Sequence, residues 1–209
     1  TNNVKKIIFS STREVYGEIY RDSYRENDFY TEKVQGPYSA TKMAAELYLK
    51  AYANCYGIDN VIIRFSNVFG RFDDSDRIVP LFIRQTKMGQ DLNIFGKEKV
   101  LDFTYIDDAI DGIMLCRDKF DQIKNKIFNI AGEKGVYLLE LADFIREEMK
   151  GENQVIIKEN RIGEITRYVS DISLARSVLG YAPKWEWKEG VRQAIDWYSK
   201  NSELLSVVR

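Results

Sequence analysis

Three short apolar runs set the fold: "KKIIFSS" at 5–11, "NVIIRF" at 60–65 and "NKIFNIAG" at 125–132, each separated from the next by segments of helical periodicity. A continuous apolar run bounded by small or polar residues suits a strand covered on both faces, as in a parallel sheet flanked by helices. Between the first two runs, Ala40, Ala44, Leu47 and Ala51 recur at helical spacing, with Pro37 at the helix start and Gly57 just past its end. Farther on, 78–89 reads as a helix stopping at Gly89, "LNIF" and "DFTYI" as strands, and 107–120 as a helix. "LLELADFIREEMKG" is an amphipathic helix ended by Gly151, "QVIIKE" a strand, and 173–179 and 188–199 two closing helices. "SNVFGRFDDSDR" reads as a polar loop. This alternation predicts an α/β fold with a mainly parallel sheet, long enough to bury a real core.

The bulk chemistry removes whole classes of function. A net charge of −1 argues against binding dominated by phosphate backbones, so no nucleic-acid partner is expected. No run of 18 apolar residues occurs and the N-terminal apolar stretch is too short for a secretory signal, so no membrane association and a cytoplasmic location are expected. Cys55 and Cys116 form no CxxC and read as buried thiols in a reducing compartment. The chain has no histidine, which removes Ser-His-Asp and Cys-His machinery and histidine-ligated zinc; no metal site is expected. Acid/base chemistry falls to Tyr, Lys, Asp or Glu.

Tyr38 and Lys42, at i and i+4, lie on one helical face, where an ammonium lowers the pKa of a phenol. The spacing alone means little, because this composition produces about one Tyr-x-x-x-Lys by chance and one is found. Its context says more. "IIFSST" carries Ser10, Ser11 and Thr12 to the end of a strand, where open α/β sheets build their sites, and the next helix opens with the small residues Ser39, Ala40 and Ala44.

"IIFSSTREVYGE", "GPYSATKMAAE", "IIRFSNVFG", "DFTYIDDAIDGI", "IFNIAG" and "DISLARSVLGYAPKWEWKEGVRQAIDWY" occur in that order from residue 4 to about 200. Together they resemble an extended short-chain dehydrogenase/reductase of the nucleotide-sugar epimerase/dehydratase family, similar to UDP-glucose 4-epimerase. The resemblance implies the C-terminal part of a Rossmann-type parallel sheet (1–66 and 103–131) with a small α/β substrate-binding lobe (67–102 and 132–209). It implies NAD as cofactor, with Ser10, Tyr38, Lys42 and Phe65 beside it. Thr12 matches the residue that bonds the sugar hydroxyl being oxidised, Tyr38 the base that takes its proton, and Lys42 the lysine that holds the nicotinamide ribose. Asn67 matches the asparagine at the substrate diphosphate. "RIGE" at 161–164 resembles the family's Arg-x-Gly-Asp, making Arg161 and Glu164 substrate-binding candidates, with Glu in place of Asp.

Two departures from the family pattern matter. Glu14 sits where dehydratases and decarboxylases of the family keep a catalytic glutamate, but Arg13 occupies the place of the dehydratase's aspartic acid, and an arginine gives up no proton at working pH. Leu101 stands where many relatives have an arginine on the diphosphate, a contact that Arg77 is positioned in sequence to replace. The family's opening βαβαβ unit with its pyrophosphate-binding glycine motif is also not found: no G-x-G occurs, and Gly132 and Gly135 come nearest, after the wrong strand. The resemblance therefore implies roughly 100 further residues ahead of Thr1, an open parallel sheet edge, and pairing with that N-terminal half or in a homodimer.

The leading expectation is an NAD-dependent nucleotide-sugar epimerase, here as an incomplete chain. A nucleotide-sugar dehydratase or decarboxylase using Glu14 is the enzymatic alternative. A non-catalytic binding or interaction fragment is the third reading.

Overall fold

The computed structural model describes residues 4–17, 22–28, 31–73, 75–160 and 166–201. The chain forms β1 (Lys6–Thr12), α1 (Pro37–Tyr56), β2 (Asp59–Phe65), β3 (Asn67–Phe69), α2 (Ile78–Lys87), β4 (Leu92–Phe95) and β5 (Val100–Tyr105). There follow α3 (Ile106–Asp118), β6 (Lys126–Ile130), β7 (Gly135–Tyr137), α4 (Leu138–Glu148), β8 (Val155–Lys158), β9 (Arg167–Tyr168) and α5 (Trp187–Lys200). The expected α/β architecture with parallel strands is present.

The three apolar runs form one parallel sheet in the order β1-β2-β6. Among the described residues, no strand pairs with the other edge of β1. The remaining strands build two further sheets. β5 pairs in parallel with β3 and β9 and antiparallel with β7, while β4 and β8 form a separate parallel pair. Two cores follow this division. One gathers Val61, Ile63, Phe128 and Ile130 of the first sheet with Ile172, Ala175, Leu179 and Tyr181; the other gathers Phe82, Ile83, Leu141, Tyr168, Trp187 and Val191.

Several local differences from the sequence reading have plain causes. Residues 67–69, read as loop, are a strand because their backbone completes the β5 ladder. The expected helix at 173–179 is present, but it widens to a π-helix over Ala175–Leu179 and is closed by Gly180 at φ +72°. On α1 the stripe Ala40, Ala44, Leu47 and Ala51 faces outward, and Ser39, Met43 and Glu46 are the buried positions. Cys116 is buried as expected, but Cys55, near the end of α1, is exposed.

Candidate functional site

In the first sheet Thr12 pairs with Phe65 and Phe65 with Ile130, so the three strands end level. The carboxyl edge of such a sheet is where α/β folds bind ligands. β1 runs on into a 3-10 turn (Arg13–Tyr16), in which the Thr12 hydroxyl accepts the Glu14 backbone N–H at 3.3 Å. α1 starts at the same edge. Pro37 takes the first helical position, and the Ser39 hydroxyl accepts the Gly36 N–H at 3.2 Å while donating to the Gly36 carbonyl at 2.9 Å. These two starts frame a cavity of about 890 Å³, lined by Ser10, Thr12, Glu14, Tyr38, Phe65, Asn67 and Arg77 among others. That volume suits a ligand of cofactor or nucleotide size.

Tyr38, about half exposed, stands at the cavity wall on the first turn of α1. One turn on, Lys42 donates from Nζ to the Ser10 carbonyl at 2.9 Å and lies 5.1 Å from the Phe9 ring centroid and 5.9 Å from that of Tyr38. The lysine thus ties the opening of α1 to the end of β1, with its charge beside the phenol. The sequence candidates Ser10, Thr12, Glu14, Tyr38, Lys42, Phe65, Asn67 and Arg77 are brought to one place. Arg161 and Glu164 lie outside the described residues.

A second cluster backs the cavity. Asn67 uses both ends of its amide within the protein, donating from Nδ2 to the Asp102 carbonyl at 2.8 Å and accepting from Arg13 Nη2 at 3.0 Å. The Asp102 side chain is fully buried on β5, accepting from the Ser66 hydroxyl and from the Ser170 N–H at 2.8 Å. Burial pushes its carboxyl above the usual aspartate range, against those bonds and the nearby Arg13 charge. Leu101, one residue earlier, is buried and lines the cavity as an apolar side chain.

Sequence reasoning missed part of the lining, notably Lys99 and the α3 residues Ile110 and Ile113. The available signal was the apolar stripe Ile106, Ala109, Ile110 and Ile113 along α3, whose Ile110 and Ile113 stay partly exposed and line the cavity. Asp108 of the same helix is spent structurally, accepting the backbone N–H groups of Lys184 and Trp185 at 2.8 and 3.1 Å.

The chain is 28% identical to the UDP-glucose 4-epimerase of Thermotoga maritima, solved with UDP-glucose, with a TM-score of 0.87 over 96% of this chain and 65% of that one. It is 25% identical to the UDP-glucose 4-epimerase of Thermus thermophilus, solved with NAD, with a TM-score of 0.83 over 94% of this chain and 64% of that one. A Methanocaldococcus jannaschii protein assigned as a UDP-glucose 4-epimerase is 32% identical over 96% of this chain. The chain spans 62% to 65% of the length of the curated relatives it matches first. The model of the NAD dependent epimerase/dehydratase family matches residues 1–131, which hold all three strands of the first sheet, and the chain belongs to that family.

Proposed function

We propose that the cavity binds a nucleotide sugar and is the catalytic centre of an NAD-dependent epimerase. The observation that carries this reading is the Lys42–Ser10 bond, which fastens Tyr38 to the strand end that bears Thr12. In this reading the Thr12 hydroxyl orients the sugar hydroxyl that reacts, and Tyr38 Oη takes its proton as general base. The Lys42 ammonium, 5.9 Å from the Tyr38 ring centroid, holds a positive charge one helical turn behind that group. NAD, when bound, supplies the hydride acceptor. The residues present suit a nicotinamide: Tyr38 and the apolar Phe65, Ile110 and Ile113 line the cavity, with Lys42 tied to the Ser10 carbonyl next to them.

The diphosphate is assigned to the start of α2. Arg77 is its N-cap residue, no side chain caps the helix, and Arg77, Ile78, Val79 and Pro80 all line the cavity. Free backbone N–H groups, the helix dipole and a guanidinium together suit an anion. Asn67, Arg161 and Glu164 complete the proposed substrate contacts. Residues 1–66 and 103–131 are proposed as cofactor-binding, and 67–102 and 132–209 as the substrate lobe.

Glu14 on the cavity wall favours one second reading, a dehydratase or decarboxylase. Product analysis with NAD present separates the two. An epimer keeps the substrate mass, while loss of water or of CO2 marks the alternative and overturns the epimerase.

The outward face of α1, with Leu47, Tyr48, Tyr52 and Tyr56 about half exposed or more, supports pairing with a second chain. Sedimentation tests it: a monomer at micromolar concentration contradicts pairing.

A further inference from the structure

The cavity carries two guanidinium groups, and the proposed function uses one of them. Among the described residues neither Arg13 nor Arg77 forms an ion pair, in contrast to Arg25, Arg64, Arg71 and Arg84. Arg77 sits exposed at the start of α2, where it serves the diphosphate in the reading above. Arg13 is partly buried and directly follows Thr12.

The environment of Arg13 is incomplete. Nη2 donates to Asn67 Oδ1 at 3.0 Å, and the guanidinium carbon lies 5.2 Å from the Tyr168 ring centroid, which fixes its plane. Nη1 is buried and has no acceptor. The nearest buried carboxyl, Asp102, is held by Ser66 and Ser170 and makes no ion pair with Arg13. A buried, charged N–H without an acceptor is a cost that native structures rarely carry without a reason. An incoming oxyanion relieves it, and a planar carboxylate matches the guanidinium fork. A neutral nucleotide sugar offers one anionic group, its diphosphate. Two guanidiniums outside any ion pair in one cavity, one at the helix start and one beside Thr12, can take two.

We propose that Arg13 selects a nucleotide sugar whose ring carries a carboxylate, a uronic acid, by pairing with that carboxylate beside the reacting hydroxyl. The inference rests on the nucleotide-sugar reading of the cavity and narrows it to an acidic sugar.

The test is calorimetric titration of the 209-residue chain with UDP, UDP-glucose and UDP-glucuronate, repeated for Arg13→Met, which keeps an unbranched chain over Tyr168. The expected result is that UDP-glucuronate binds about 10- to 100-fold tighter than UDP-glucose. Arg13→Met then brings UDP-glucuronate down towards the UDP-glucose level, a far larger loss than any that UDP-glucose suffers from the lost Arg13–Asn67 bond. Arg13→Lys retains part of the preference, because the charge stays and the fork is lost. Equal binding of the two sugars by the unmodified chain overturns the proposal while the nucleotide-sugar reading stands. So does an equal loss for UDP, UDP-glucose and UDP-glucuronate in Arg13→Met, which assigns the guanidinium to the diphosphate. If none of the three ligands binds the unmodified chain, the nucleotide-sugar reading fails and takes this inference with it. Circular dichroism checks each variant's fold, and Arg13→Gln replaces Arg13→Met if the latter unfolds.

Discussion

Arg64 and Glu46 meet inside the protein, Nη2 to Oε2 at 2.6 Å and Nε to Oε1 at 3.1 Å, with both side chains almost wholly buried. The Ser11 hydroxyl joins them, donating to Glu46 Oε1 at 2.5 Å. Burial works against the Arg64 charge, but the bonds from Glu46 outweigh it and hold the guanidinium protonated. The pair links α1, two turns beyond Tyr38, to β2 and to the residue before Thr12. Removing one partner strands a buried charge, so Arg64→Leu or Glu46→Leu should each cost about 3–5 kcal/mol. The double variant should cost less than the sum of the two, as urea unfolding of all three will show.

Tyr38→Phe keeps the ring at the cavity wall and removes the proton acceptor. Turnover should fall by about 10²- to 10⁴-fold, with nucleotide-sugar affinity changed little. A variant that retains full turnover removes Tyr38 from the role of base.

The two thiols should differ sharply. Cys55 is exposed and Cys116 fully buried on α3, where burial pushes the thiol up to about 12 from 9.0. Ellman's reagent should therefore titrate one thiol in the native chain and two after unfolding. Because the folded-state pKa is raised, the unfolded state releases this proton first. Stability from Cys116 is intact below about pH 9 and falls by about 1.4 kcal/mol per pH unit from there towards 12. Unfolding of the chain and of Cys116→Ser at pH 7.5 and 10 should diverge in that direction.

Gly17 closes the turn that carries Glu14. Its φ is +65°, its N–H donates to the Glu14 carbonyl at 3.2 Å, and an added Cβ would collide with the Lys33 backbone. Gly17→Ala should destabilise by at least about 1–3 kcal/mol, read as a lowered urea midpoint with the slope unchanged.

The three parallel strands were legible because each is a bare apolar run, and their helices because caps and glycines punctuate them. The sidedness of α1 was not legible. Hydrophobic periodicity marks Ala40, Ala44, Leu47 and Ala51 as one stripe without saying which way it faces, whereas the fold turns Glu46 inward to meet Arg64 on β2. No pattern within the helix announces a partner 18 residues away. β3 and β9, three and two residues long, escaped because they exist only as ladder partners of β5. At the cavity, Tyr38 and Lys42 stood out through motif context. Arg13 was visible as a departure, but its unpartnered nitrogen is a property of the folded chain.

The most direct test of the catalytic assignment is near-ultraviolet absorbance after a nucleotide sugar is added to the NAD-loaded protein. Transfer of hydride from sugar to cofactor creates the band of a reduced nicotinamide. The account predicts that this band appears with the unmodified protein and is lost in Tyr38→Phe. A band of equal size and rate in Tyr38→Phe, or no band when sugar and cofactor are both bound, would contradict it.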